Sequence, residues 1–169
     1  NFNGAKVAFI GMTLEGTPLI VSPSGVAGFD FRDEADTVNE LVPEMKKKGI
    51  ETIVVLVHEG ATQVPSTSSY NGCTGISGPI VDIVNRLDDE VDVVISGHTH
   101  QPYNCVVRGP DGRPRPFIQG ASYGRLVSEI DLVLDRRTDD VVRSRQAPLA
   151  GFLLGALVDD SCNGDRGIE

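Results

Sequence analysis

Thr52-Ile53-Val54-Val55-Leu56-Val57-His58-Glu59-Gly60 is the clearest architectural signal in the chain. Six β-branched or aliphatic residues run without a charge and stop at a histidine. Such a continuous run, unlike an alternating one, suits a strand buried on both faces. Val91-Asp92-Val93-Val94-Ile95 repeats the pattern and ends at Ser96-Gly97, and Lys6-Val7-Ala8-Phe9-Ile10 ends at Gly11. Between the first two runs in the chain, Ala35, Val38, Leu41, Val42 and Met45 fall on one helical stripe. Asp33 and Glu34 sit in its first turn, Lys46-Lys47-Lys48 in its last, and Gly49 marks the stop. Pro43 deletes one backbone donor and is expected to kink this helix near Asn39–Val42. A second helix is predicted from Pro79 to Leu87, with Ile80, Ile83, Val84 and Leu87 inward and the proline at a tolerated first-turn position.

Beyond residue 100 the pattern changes. Strand-like runs at Tyr103–Val107, Phe117–Gly120, Val127–Leu134 and Val141–Ser144 are separated by Pro110-Asp111-Gly112, Ser122-Tyr123-Gly124 and Arg136 to Asp140. Turn chemistry at such short intervals predicts antiparallel hairpins. The expected class is α/β: strand-helix-strand-helix-strand, then hairpins. A boundary is expected near Ala147-Pro148, where the composition shifts.

At 169 residues and 18.1 kDa the chain has room for one domain. Its net charge of −9 argues against a nucleic-acid partner or an anionic membrane surface, both of which need clustered positive charge. The longest apolar-plus-glycine run, Leu149 to Val158, has ten residues, whereas a membrane span takes about twenty. The chain opens on Asn1-Phe2-Asn3-Gly4, without Met or a leader, and is expected to be a segment of a longer protein. Three cysteines, Cys73, Cys105 and Cys162, form no Cys-x-x-Cys pair, which excludes a zinc ribbon and a thioredoxin-like site.

The chemistry concentrates on three histidines, the only ones in the chain. His58 follows one buried-type strand; His98 and His100 follow another, in Ser96-Gly97-His98-Thr99-His100. In open α/β sheets, functional groups collect beyond the carboxyl ends of strands. If the two strands are neighbours, all three imidazoles meet, and in an extended segment His98 and His100 point to one side. Gly60 and Gly97 allow a tight backbone at both turns. Three convergent imidazoles are donors for Zn, Mn, Fe or Ni. A single histidine at a strand end is more often solvated, and for His58 alone that reading is preferred; all three together favour metal.

These blocks, with Lys6 to Thr13 and the loop from Gly16-Thr17-Pro18 to Phe31, resemble the calcineurin-like metallophosphoesterase superfamily. The likeness is to its secreted bacterial 5′-nucleotidase-type branch, from about residue 4 to about residue 146. It implies that residues 1–147 form the C-terminal half of a catalytic domain with a metallophosphatase α/β/β/α sandwich, present in part. Residues 148–169 would then be a linker or tail, or the start of a truncated nucleotide-recognition domain. It also implies a hydrolase acting on phosphate monoesters, nucleotides above all, in nucleotide catabolism. Two divalent ions (Zn, Mn, Fe or similar) would activate a water, with His58 and His98 on one ion and His100 on the other. A Cys73–Cys105 disulfide is usual in this branch and implies a secreted, periplasmic or cell-wall location; Cys162 is left over.

The departure from the family is in the missing blocks. There is no Asp-x-His, no Asn-His and no fourth histidine, so no catalytic residue is assigned and at most part of the metal site is expected here. The missing N-terminal half of the domain is therefore an expected partner, and no substrate-binding residue is named. Without those blocks the chain is expected to be inactive by itself. The alternatives are a non-catalytic metal-binding or structural module derived from the fold, and a mononuclear three-histidine zinc hydrolase. Among lesser candidates, Glu59 either orients an imidazole or lies at the surface. Arg113 and Arg115 are read as solvated rather than phosphate-binding, and Asp92 as a strand-start or edge residue.

Overall fold

The computed structural model describes residues 4–65 and 70–143. Three buried-type strands form side by side: β1 (Val7–Met12), β2 (Thr52–Val57) and β3 (Val91–Ile95). Two helices connect them, α1 (Glu34–Lys47) and α2 (Pro79–Arg86), each making a parallel crossover. A hairpin of β4 (Tyr103–Arg108) and β5 (Pro114–Gln119) completes a five-stranded sheet in the order β1-β2-β3-β5-β4. β5 runs parallel to β3 and antiparallel to β4, so four neighbouring strands share one carboxyl-end rim.

Alternation along β2 sorts the sheet into two faces. Ile53, Val55 and Val57 join Ile10, Val91 and Val94 against Ala35, Val38 and Val42 of α1 and Ile80, Ile83 and Val84 of α2. Val7, Phe9, Val54, Val93 and Ile95 face the other way, over a cavity of about 430 Å³ closed by Ser128, Ile130, Leu132 and Leu134. Asp33 caps α1, accepting from Asp36 N at 2.8 Å, and the helix runs on through Pro43.

Three details differ from the expectations. β5 begins at Pro114, three residues before its apolar run, although Pro114 and Pro116 lack donors. Gly109 N donates to Arg113 O, which sets the ladder phase so that both prolines fall between hydrogen-bonded positions. Residues 127–134 alternate as a strand would, but among the described residues they join no sheet; one bridge, Leu134 to Val141, replaces the second hairpin. Asp92 is neither a strand start nor an edge. It is fully buried where the β2–β3 register slips between Ile53 and Val54. There its carboxylate accepts from Ile53 N at 2.8 Å, in place of a ladder carbonyl, and pairs with Arg143 at 2.8 Å. The boundary near residue 147, the tail 148–169 and Cys162 lie outside the described residues.

Candidate metal centre

His58 and His98 reach the rim for different local reasons. His58 directly follows β2, and its N–H continues the ladder by donating to Met12 O at 3.0 Å. His98 and His100 lie in a turn, each in the left-handed region (φ 68° and 58°), not in an extended segment. Non-glycine residues adopt that conformation at a cost of about 1 kcal/mol or more, and it concentrates at functional sites. Thr99 holds the turn between them. Its hydroxyl donates to Ala61 O at 2.7 Å and meets Gln119, whose Nε2 donates back at 2.9 Å. Beneath it Ser96 meets the Tyr103 hydroxyl at 2.6 Å, and burial pushes that phenol up to about 12.

The two loops touch because Gly60 has no side chain. A Cβ there would stand 2.2 Å from Gly97 O and 2.7 Å from both Thr99 Oγ1 and Gln119 Oε1. Gly97 N also donates to Glu59 O at 3.1 Å. Gly60 thus acts through close approach, and Gly97 supplies the backbone that approaches it.

The approach places His98 Nδ1 and His58 Nε2 3.3 Å apart, with ring centroids at 5.1 Å. Two nitrogens bound to one tetrahedral zinc at about 2.0–2.1 Å lie roughly 3.3–3.4 Å from each other. Both imidazoles are solvent-exposed, so the donor pair fits a divalent ion entering from outside. His100 does not join them: among the described residues no three-histidine group falls within 4.8 Å. Its ring instead lies edge-on to Tyr123 at 5.5 Å. The two imidazoles that meet therefore come from different loops.

The lesser candidates sort plainly. Glu59 Oε1 accepts from Gly60 N at 2.7 Å and makes no hydrogen bond to His58. Arg115 is fully buried, its guanidinium bound to the carbonyls of Val84, Leu87, Asp88 and Val91. It closes the end of α2 and is not a solvated residue. Arg113 pairs with Asp111. A disulfide joins Cys73 to Cys105, fastening the loop after His58 to β4. The carboxylates of Glu15, Asp33 and Glu34 gather within 4.8 Å, although the sequence pattern marks Asp33 and Glu34 only as first-turn residues of α1 and Glu15 not at all. Local roles account for them: Asp33 also pairs with Arg86 at 2.6 Å, and Glu34 accepts from Glu15 N at 2.7 Å. The Arg86 guanidinium holds the Asp33 carboxyl below the usual carboxylate range.

Two imidazoles thus meet on the rim shared by four parallel strands of a mixed α/β sheet. The chain belongs to the calcineurin-like phosphoesterase family, whose sequence profile matches residues 5–102. It is 36% identical over 143 residues to endonuclease YhcR of Bacillus subtilis, covering 85% of this chain and 11% of that protein. It is 32% identical to cell wall protein Lmo0130 of Listeria monocytogenes, covering 87% of this chain and 19% of that one. A 5′-nucleotidase of Vibrio cholerae is 32% identical, over 71% of this chain and 22% of its own length. The fold matches a 5′-nucleotidase precursor from Thermus thermophilus with a TM-score of 0.66 and 24% identity, over 83% of this chain and 26% of that one. The chain thus spans under a quarter of the length of these three curated relatives.

Proposed function

We propose that the chain carries the second half of the metal site of a phosphoric monoester hydrolase of 5′-nucleotidase type. The supporting observation is the 3.3 Å separation of His58 Nε2 and His98 Nδ1, the bite that one tetrahedral divalent ion requires. His58 and His98 hold one ion in this reading, and His100 is a ligand of a second. Metal bound there supplies Lewis-acid stabilisation of phosphoryl oxygens and an activated water. The chain's own contribution is placement: Thr99, Gln119 and Gly60 hold the two loops in contact so that the imidazoles are pre-positioned.

The substrate is a small phosphate ester, a nucleotide by family likeness. A net charge of −9 disfavours a polymeric nucleic acid. The Cys73–Cys105 disulfide and the likeness to a cell wall protein support an extracytoplasmic location. With three histidines and no Asp-x-His or Asn-His block, the two-metal clamp draws its remaining ligands from a further segment. The same count favours, as a second reading, a metal-binding module that is not catalytic by itself.

Zinc titration by calorimetry is the direct test. The chain is expected to bind Zn²⁺ and to lose roughly 100-fold or more in affinity in His58→Ala and in His98→Ala, as removal of one of two ligands requires. Equal zinc affinity in wild type and both variants ends the reading. Robust p-nitrophenyl phosphate turnover by the chain alone would remove the need for a further segment.

A further inference from the structure

We propose that Arg125, held over the Tyr123 ring beside His100, is the anion-binding residue of this site and engages phosphoryl oxygens of the ester. The inference deepens the phosphoesterase reading above and rests on it. A phosphate monoester arrives as an anion, and a fixed guanidinium adds to the positive charge that bound metal supplies. The segments that leave the carboxyl ends of the four parallel strands are 13–33, 58–78, 96–102 and the turn that begins at 120. Up to residue 125 they hold two basic residues, Arg32, which pairs with Glu40, and Arg125, against the carboxylates of Glu15, Asp30, Asp33 and Glu59.

Arg125 shares with Arg108 and Arg136 the lack of a carboxylate partner, and among the described residues it is the one of the three that lies against an aromatic ring. Arg32, Arg86, Arg113, Arg137 and Arg143 each pair with a carboxylate. Arg115 is consumed by buried carbonyls. Among the described residues Arg125 has no acidic partner; its guanidinium lies 5.4 Å from the Tyr123 ring centroid. A cation over an aromatic face is steadied while its N–H donors remain free. Tyr123 is 82% exposed and sits in the left-handed region (φ 61°), followed by Gly124 at φ 68°. That turn presents a large ring to solvent at a conformational cost, and the ring is the one that lies against His100 at 5.5 Å. The Tyr123 ring thus links the other two groups, edge-on to the His100 imidazole and 5.4 Å from the Arg125 guanidinium. The planar guanidinium fork matches two phosphoryl oxygens at once.

Inorganic phosphate titrated calorimetrically into the zinc-loaded full chain tests this. Arg125→Ala is expected to weaken phosphate binding roughly 10- to 100-fold, the worth of one charge-assisted bidentate contact, with zinc affinity unchanged. Arg125→Lys recovers part of the loss, and Arg137→Ala, altering an exposed pair elsewhere, leaves binding as in wild type. Equal phosphate affinity in wild type and Arg125→Ala overturns the proposal, as does zinc binding without phosphate binding in wild type. Loss of zinc affinity in Arg125→Ala would make the residue structural and likewise overturn it. A wild type that binds no zinc refutes the metal reading itself, and this inference with it.

Discussion

The two faces of the sheet carry equally apolar strands and are closed in different ways. The α1–α2 face is sealed by helices, with Ile53, Val55, Val94 and Phe117 at most 1% exposed. On the other face Phe9 is 54% and Leu56 39% exposed, and the covering segment leaves a cavity. That segment is tied down by polar contacts: Arg143 to Asp92, and Thr52 Oγ1 donating to Asp139 O at 2.8 Å. One face is therefore held by non-directional burial and the other largely by placed hydrogen bonds. Apolar patterning reports how much a strand can bury, and says nothing of what does the burying.

The largest expected effect lies on the helical side. Arg115→Ala strips four backbone carbonyls of their donor in a dry site, and a loss of about 3–5 kcal/mol in urea unfolding is expected. A loss below about 1 kcal/mol would mean that water replaces the guanidinium and that this end of α2 is open.

Next comes a direct contrast of the faces. Ile53→Ala should cost about 2–5 kcal/mol, as for a buried large-to-small change. Phe9→Ala should cost about 1 kcal/mol or less, because that ring already lies half in water. Similar losses for the two would show that the second face is covered in solution as fully as the first.

The smallest effect probes the polar ties through pH. Burial outweighs the Arg143 pairing and pushes Asp92 up to about 6 from an ordinary 3.8. The folded state then binds this proton more tightly than the unfolded state. The group's contribution is complete below about pH 4 and is lost as pH rises through about 6. Going from pH 7 to pH 5 should therefore add about 1 kcal/mol of stability from this carboxyl. Asp92→Asn lacks that increment, so the wild-type-minus-variant difference in unfolding midpoints reads it. A difference that does not change with pH would mean Asp92 stays ionised in its pair.

Much of this was legible beforehand for a simple reason. Strand and helix patterns are local, so β2 and β3 fall where the apolar runs place them, and α2 differs by one residue at its end. Histidines at strand ends could be seen because a strand's carboxyl end is marked by where its run stops. Less legible were features set by a partner distant in the chain. Arg115 sits in a proline-rich stretch that resembles a loop until β4 fixes its phase and α2 supplies carbonyls. Asp92 looks misplaced in an apolar run until a bulge leaves Ile53 N in need of an acceptor.

The parallel core, the helices that cover one face and the imidazoles at strand ends were all readable from the chain's residues. Each of these follows from residue type and short-range spacing. The resemblance paired His58 with His98, and the folded chain brings their nitrogens to 3.3 Å. That contact rests on Gly60 admitting Gly97 at contact distance. Such close approaches depend on two backbones meeting across the sheet, and no spacing within either segment encodes them.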